Sequence, residues 1–195
     1  MGKKKYTQDV ENLFNKSPVV SAKSIERIVN KNKKVKQYTK QLIRNLILKG
    51  RIKRLTKGFY TSLDNISISV FCFKPAYLGL QDALSFHNLW EQETIPVIVT
   101  TRMIRVGIRS IMGSNVLIRR LAKKYFFGFD YYDHKNIYLP YSNIEKTLID
   151  LAYFNERLNM EILDKIKKKI DVKKLKLYLK AYPKRFRDKA LAMLK

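Results

Sequence analysis

The chain has 195 residues, of which 46% are hydrophobic, so it can build one large or two small folded domains and is not a disordered protein. Its 41 Lys and Arg residues against 16 Asp and Glu give a formal net charge of +25, which points to a polyanionic partner. Cys72 is the only cysteine, which excludes an internal disulfide and a cysteine-based zinc site and fits a reducing cytosol.

Two short helices are predicted at the start of the chain. Apolar residues at helical spacing predict a helix over 6–15, and Pro18 ends it because proline disfavours a helical residue before it. Ser21 is a good N-cap for a second helix over 22–29. Residues 30–34 form a polar, Lys-rich turn that leads into the most informative part of the sequence.

A third helix and a hairpin are predicted over 35–61. An apolar stripe that includes Tyr38, Leu42, Ile43, Leu46 and Ile47 predicts a helix of about four turns, which ends before Gly50. Two short strands, 51–55 and 59–61, then flank a turn that contains Gly58. Three helices followed by a basic hairpin are typical of a winged helix-turn-helix domain, so residues 1–62 are predicted to bind DNA.

The exposed face of this third helix and the hairpin supply the candidate DNA contacts. Lysine and glutamine near the start of a recognition helix can reach base edges, whereas flanking basic residues bind the phosphate backbone or enter the minor groove. Tyr38 is expected to pack in the core. The candidates for base contact are Lys36, Gln37, Lys40 and Gln41, and those for the backbone, the minor groove or the hairpin face are Lys33, Lys34, Arg44, Arg51, Lys53, Arg54 and Lys57.

Charge falls sharply after the hairpin. Residues 61–160 hold 11 basic and 9 acidic side chains, whereas residues 1–60 hold 17 and 3. Residues 63–74 fit either a strand or a buried helix, and 75–90 have helical spacing. Strands are predicted at 95–101, 104–108, 115–119, 125–129 and 136–139, which would form a small mixed sheet.

Helices return in the last third of the chain. Ser142 and Glu145 match a capping box that opens a helix ending near Asn155, and Asn159 caps another over 160–170. Two more helices are predicted at 172–181 and 184–194, separated by Pro183. Residues 159–195 are therefore predicted to be a basic helical C-terminal tail.

Four segments in order resemble the AbiEi antitoxins of type IV toxin–antitoxin systems. They are Pro75 to Leu89, Val99 to Arg102, Phe126 to Phe129 and Ser142 to Leu151, and the resemblance covers about residues 6–155. It implies an N-terminal winged helix that binds operator DNA and represses its own operon. It also implies that the second domain neutralises a nucleotidyltransferase-like toxin, although the matching residues look like core and caps and identify no toxin contact.

No cofactor, metal site or catalytic motif is predicted. His87 and His134 lie far apart and lack metal-ligand spacing, and His87 is expected to be a hydrogen-bonded packing residue. The sequence has no Gly-rich phosphate loop, nucleophile elbow or carboxylate pair, so we expect no enzymatic activity. It has no signal peptide pattern and no apolar run of about 18 residues, so a cytoplasmic protein without membrane contact is expected.

The sequence therefore predicts an α+β protein with three parts: a winged helix-turn-helix at 1–62, a small mixed-sheet α/β domain at 63–158 and basic helices at 159–195. The favoured function is a DNA-binding transcription regulator that also acts as an antitoxin. A stand-alone winged-helix regulator, a basic RNA-associated protein and an adaptor for an acidic partner are the alternatives. Oligomeric state is not readable from the sequence, although one winged helix covers only half of a palindromic operator.

Overall fold

The structure, a computed structural model, describes residues 5–29, 36–134 and 136–194, with only the backbone of Lys5, Lys36 and Gln37. The protein is a mixture of helices and strands in two sheets, which confirms the α+β class. It divides into two compact units: the first is Met1–Cys72 with Ser110–Ser114, and the second is Phe73–Arg109 with Asn115–Lys195.

The first unit contains three helices and a small antiparallel sheet with strand order β1-β3-β2. Its elements are α1 (Lys5–Lys16), β1 (Val20–Ser21), α2 (Ala22–Val29), α3 (Lys36–Leu48), β2 (Lys53–Thr56), β3 (Phe59–Thr61) and a 3-10 helix at Ile66–Phe73. The predicted N-cap of α2 and the predicted end of α3 are confirmed. The Ser21 hydroxyl accepts a hydrogen bond from the Ser24 amide at 3.0 Å, and Gly50 has the left-handed φ of +67° that ends α3.

The core of the first unit lies between its three helices and the sheet. The stripe predicted on α3 is buried at Leu42, Ile43 and Leu46, and Tyr38 packs beside the core with its ring edge-on to Tyr6. Ile47 is the exception, because it is 38% exposed. The ambiguous segment before Lys74 is the 3-10 helix, and Cys72 within it is buried as expected.

The second unit is organised on a six-stranded sheet with order β6-β7-β5-β4-β9-β8. The central strands are mixed in direction: β4 pairs antiparallel with β5 and parallel with β9, and β5 pairs parallel with β7. The strands are β4 (Ala76–Leu78), β5 (Val97–Thr100), β6 (Gly107–Ile111), β7 (Ser114–Arg120), β8 (Phe129–His134) and β9 (Ile137–Ser142).

Within 75–90 the predicted helix of two or three turns is confirmed as α4 (Leu80–Phe86), but the strand β4 (Ala76–Leu78) before it was not predicted, because it inserts between two other strands. Two other predictions about the second unit are wrong. The strand predicted at 125–129 is a 3-10 turn and a loop, whose aromatic rings pack into the core. The capping box does not form: Asn143 is the N-cap of α5 (Ile144–Tyr153), and the Glu145 carboxylate accepts from the Asp171 amide at 2.9 Å.

The basic C-terminal helices belong to the core of the second unit. They are α6 (Met160–Lys169), α7 (Val172–Leu179) and α8 (Lys184–Ala192), and α6 is capped by Asn159 as predicted. Ile166, Leu175 and Ala190 are fully buried in the cluster that also contains α5. Their lysines and arginines therefore form the outer faces of packed helices.

A charged pair is fully buried beneath these helices. Lys146 donates to Asp150 one turn later on α5, and both side chains are inaccessible to solvent. The Tyr77 hydroxyl donates to the other oxygen of Asp150 at 2.5 Å, and Lys146 reaches the Tyr182 hydroxyl at 3.3 Å. The pair is thus satisfied from three elements of the fold, as a buried pair requires.

His87 also packs as expected, with Nε2 at 2.8 Å from the Ser142 carbonyl oxygen.

Candidate nucleic-acid interface

Helix α3 presents its polar side chains on the face opposite the core. Leu42, Ile43 and Leu46 are buried, whereas Lys40 and Arg44, one turn apart, are exposed. This division follows from the spacing of the apolar residues, because side chains three and four apart share a face of a helix. The outward position expected for Lys40 and Arg44 is therefore the one observed.

One surface depression brings three of the candidate cations together, and we call it the cationic groove. It has a volume of about 570 Å³ and lies between α2, α3 and the β2–β3 hairpin. Lys40 and Arg44 line it from α3, and Arg54 lines it from β2. Its remaining walls include the side chains of Ala22, Glu26, Thr39, Ile43, Leu48 and Tyr60.

The electrostatics of the cationic groove are dominated by its basic side chains. No salt bridge joins Lys40, Arg44 or Arg54 to an acidic side chain within the described parts of the chain. Glu26, on α2, is the acidic residue that lines the groove. Three cations against one carboxylate leave a positive concave surface, where an approaching polyanion is attracted.

The hairpin beside the groove is held at both of its ends. At its tip, the Gly58 carbonyl oxygen accepts a hydrogen bond of 2.8 Å from the Ala22 amide at the start of α2. At its base, Lys53 pairs with Asp64. Lys57, in the turn, is exposed. The backbone of the hairpin that carries these cations is therefore tied to the start of α2.

The remaining candidates on α3 and after it lie on a different side of the helix. Gln41 and Arg51 line a second depression, between α3 and α1, together with Asn45 and Lys49. Arg51 donates to Glu11 on α1, so its charge is already partly compensated. The structure therefore brings Lys40, Arg44 and Arg54 together and leaves Gln41 and Arg51 outside that group.

The other predicted contacts have a mixed outcome. Lys33 and Lys34 lie outside the described residues. Lys36 and Gln37 form the first turn of α3, and the structure describes their backbone only. Their assignment to base contact stays a prediction.

Sequence reasoning predicted only the three cations of the groove as contacts and missed its other lining residues, among them Glu26, Leu48 and Tyr60. Leu48 is 74% exposed at the end of α3, which is unusual for a leucine within an apolar helical pattern. The spacing of Ile25 and Val29 places Glu26 on the outside of α2, but only the packing of α2 on α3 directs it to this groove. Nothing in the local sequence indicates that packing.

This arrangement can hold a phosphate backbone and an apolar base edge together. Guanidinium groups bind phosphate and guanine through two parallel hydrogen bonds, and the exposed Leu48 offers the kind of apolar surface that contacts a thymine methyl group. No group of His, Cys, Asp and Glu that could hold a metal ion occurs within residues 5–29, 36–134 and 136–194. Of the helices that the structure describes, none is long and apolar enough to cross a membrane.

Comparison with known proteins adds a fold and no function. No family model matches the chain, and no curated protein matches it. Among solved structures, the chain is similar to the RV2827C protein from Mycobacterium tuberculosis, with a TM-score of 0.65 and 13% sequence identity. The similarity covers 97% of this chain and 76% of that one. At this identity it shows that the two chains share their fold along nearly the whole of the present sequence.

Proposed function

We propose that the first unit is a winged helix-turn-helix and that the protein is a DNA-binding regulator that represses its own operon. The observation that carries this proposal is the convergence of Lys40, Arg44 and Arg54 on the cationic groove. Two elements that are separate in sequence supply these side chains, and the described structure pairs none of them with a carboxylate.

In the proposed complex, α3 enters the major groove and the hairpin follows the backbone toward the minor groove. Arg44 and Arg54 then contact the phosphate backbone that lies in the cationic groove, and the start of α3 reaches base edges. The hydrogen bond between the Ala22 amide and the Gly58 carbonyl oxygen ties the hairpin to the start of α2 in this arrangement. One such unit covers a half-site, so a palindromic operator recruits two copies.

The test is a titration of the full-length protein with fluorescent duplex DNA from the region upstream of its own gene, at several salt concentrations. We expect binding that is tightest for this duplex and that weakens steeply with salt, because each neutralised phosphate adds about 0.9 to the slope of log K against log salt. Unlabelled DNA of unrelated sequence should compete poorly. Equal affinity for all duplexes would contradict a sequence-specific repressor.

Structured RNA as a competitor separates this proposal from the RNA-associated alternative. An A-form helix has a deep, narrow major groove that a recognition helix cannot enter, so RNA should compete only weakly. A hairpin RNA that displaces the operator duplex at equal concentration would favour the alternative. An Arg44→Ala variant that loses DNA binding but keeps RNA binding would assign the two polymers to different surfaces.

We further propose that the protein acts as the antitoxin of a nucleotidyltransferase-like toxin, through binding and without catalysis. The support is the resemblance to AbiEi antitoxins: its segments include β4, α4 and α5, which build the core of the second unit. Co-expression tests the idea directly. A nucleotidyltransferase-like gene adjacent to this one should arrest growth alone and lose that effect when this protein is supplied. Growth arrest that persists in the presence of this protein would contradict the antitoxin proposal and favour a stand-alone regulator.

A further inference from the structure

About a third of the near-neutral middle of the chain carries only basic charges. Between Glu93 and Asp130 the sequence contains seven Lys and Arg residues and no Asp or Glu. This stretch includes β6, which is the outermost strand at one end of the six-stranded sheet. The opposite end of the sheet, β8, carries the acidic residues Asp130 and Asp133. The two edges of one sheet therefore differ in charge.

The approach to β6 exposes aliphatic side chains as well as cations. Met103 is 84% exposed, Val106 is 49% exposed and Ile108 is 66% exposed. Gly107, whose φ is +109°, turns the chain from the preceding loop into the edge strand. We call residues 103–109 the edge patch. A sheet edge with uncovered aliphatic residues is ready to pair with another strand, and natural proteins usually protect such edges.

The arginines of the edge patch are held beside these aliphatic groups. Arg109 donates to the Arg105 carbonyl oxygen at 2.5 Å and lies 5.7 Å from the centre of the Phe73 ring. Arg120, on the neighbouring strand β7, reaches the Met103 sulfur at 3.5 Å. None of Arg105, Arg109 and Arg120 forms a salt bridge within the described parts of the chain.

We propose that the edge patch binds an extended, acidic segment of another protein, which adds as a strand beside Gly107–Arg109. The edge strand supplies backbone hydrogen bonds, as it does in other complexes formed by strand addition. Aliphatic residues of the segment pack against Ile108 and Val106, and its carboxylates pair with Arg105 and Arg109. Alternation of apolar and acidic residues is the pattern that fits this surface.

Two other occupants fit less well. A second copy paired antiparallel about Gly107 would place Arg105 of each copy opposite Arg109 of the other, and these like charges would repel. A nucleic acid would find cations there, but residues 103–109 contain no aromatic ring on which a base could stack. An acidic peptide satisfies the aliphatic side chains and the charges together.

The first experiment uses a fluorescein-labelled ten-residue peptide in which Val and Glu alternate, added to the full-length protein. We expect saturable binding that weakens as salt rises. A peptide in which Val alternates with Lys should not bind. A Val–Glu peptide that is N-methylated at alternate residues keeps its charge but lacks the backbone donors on one side, and it should bind at least about tenfold more weakly if strand addition holds it.

The second experiment identifies the surface. Ile108→Glu and Arg105→Glu should each weaken the Val–Glu peptide by about tenfold or more, because both introduce like charge at the contact. Tyr131→Glu is the matched control, since it places the same charge on an exposed position of the opposite edge strand, and it should leave affinity unchanged. Amides of Gly107–Arg109 should gain protection from hydrogen exchange when the peptide binds. Thermal melting confirms that each variant is folded.

The outcomes separate this inference from DNA binding. Arg44→Ala should leave peptide affinity unchanged, and Ile108→Glu should leave operator affinity unchanged. The inference is overturned if the Val–Glu peptide fails to bind, if binding survives Ile108→Glu, or if Arg105→Glu abolishes duplex binding instead. Self-association that rises with protein concentration and is lost in Ile108→Glu would show that the edge patch binds a second copy of this chain and not an acidic peptide.

Discussion

Two helical lysines of this protein lie in opposite environments. Lys40, on α3 of the first unit, is exposed, lines the cationic groove and has no salt bridge within the described structure. Lys146, on α5 of the second unit, is fully buried and paired with Asp150. Burial lowers the pKa of Lys146, and the Asp150 carboxylate opposes that shift. One lysine keeps its charge at the surface, and the other has its charge satisfied inside the fold.

The comparison shows that net charge alone does not identify a binding surface. Both lysines count equally toward the +25 of the chain. An exposed cation in a group of like charges raises the free energy of the protein slightly until an anion binds. A buried cation contributes to stability only while its partner is present. Substitutions should therefore change affinity in the first unit and stability in the second.

The largest effect is expected from Lys146→Met, which keeps the side-chain volume but leaves Asp150 buried with only the Tyr77 hydroxyl as a partner. Removing one member of a buried pair costs about 3–5 kcal/mol of unfolding free energy. Urea denaturation measures this loss. The double variant Lys146→Met, Asp150→Leu should recover much of it, and a double variant as unstable as the single one would show that the charge is not the cause.

Gly128→Ala should destabilise the same region by about 1–3 kcal/mol, the usual range for an overpacked core. A Cβ at Gly128 would lie 2.9 Å from the Lys146 Cβ and 2.9 Å from a ring carbon of Tyr178, at a φ of +74°. Gly113→Ala is the control, because its φ is +81° and its Cβ would meet nothing within 4 Å. Denaturation midpoints that are equal for the two variants would attribute the loss to φ alone.

Arg44→Ala should weaken operator binding by about tenfold at moderate salt and reduce the salt slope by about 0.9, as expected for one lost phosphate contact. Its stability should change little because Arg44 is exposed. Arg51→Ala is the matched control, since Arg51 faces α1 and pairs with Glu11. Fluorescence anisotropy at three salt concentrations distinguishes them. Equal losses for both arginines would place the DNA on both sides of α3.

The smallest effect is expected from Glu26→Gln, which removes the carboxylate from the cationic groove and keeps the side-chain shape. Operator affinity should rise about two- to threefold, because a like charge near the phosphates is lost. The gain should fade above about 0.5 M salt, where charges are screened beyond a few ångströms. A fall in affinity would mean that Glu26 orients a neighbouring cation.

The first unit was largely predictable from sequence because its signals are local. The Ser21 cap, the stripe on α3 and the glycines at 50 and 58 each depend on residues a few positions apart, and each is observed. The composition of the cationic groove was only partly predictable. Arg54 and Arg44 converge because α3 and the hairpin pack together, and that packing is set by contacts distant in sequence.

Sequence-based prediction failed in the second unit where pairing between strands distant in sequence overrides the local residue pattern. Ala76–Leu78 has three buried residues and no alternation, so only its place between β5 and β9 makes it a strand. Ser142 has the sequence of a helix cap, but it ends β9 and its hydroxyl pairs with Thr147 at 2.7 Å. The local sequence indicates an ordinary exposed helix lysine at Lys146, whereas the structure buries its side chain.

The hydrogen bond between the Ala22 amide and the Gly58 carbonyl oxygen has a consequence for the thermodynamics of binding. A mobile hairpin would lose conformational entropy when it docked, and that loss would oppose association. Here the turn is anchored beforehand. If the first unit binds DNA as proposed, binding should therefore proceed with little change in backbone order, and calorimetry should show only a small entropic cost for ordering the hairpin.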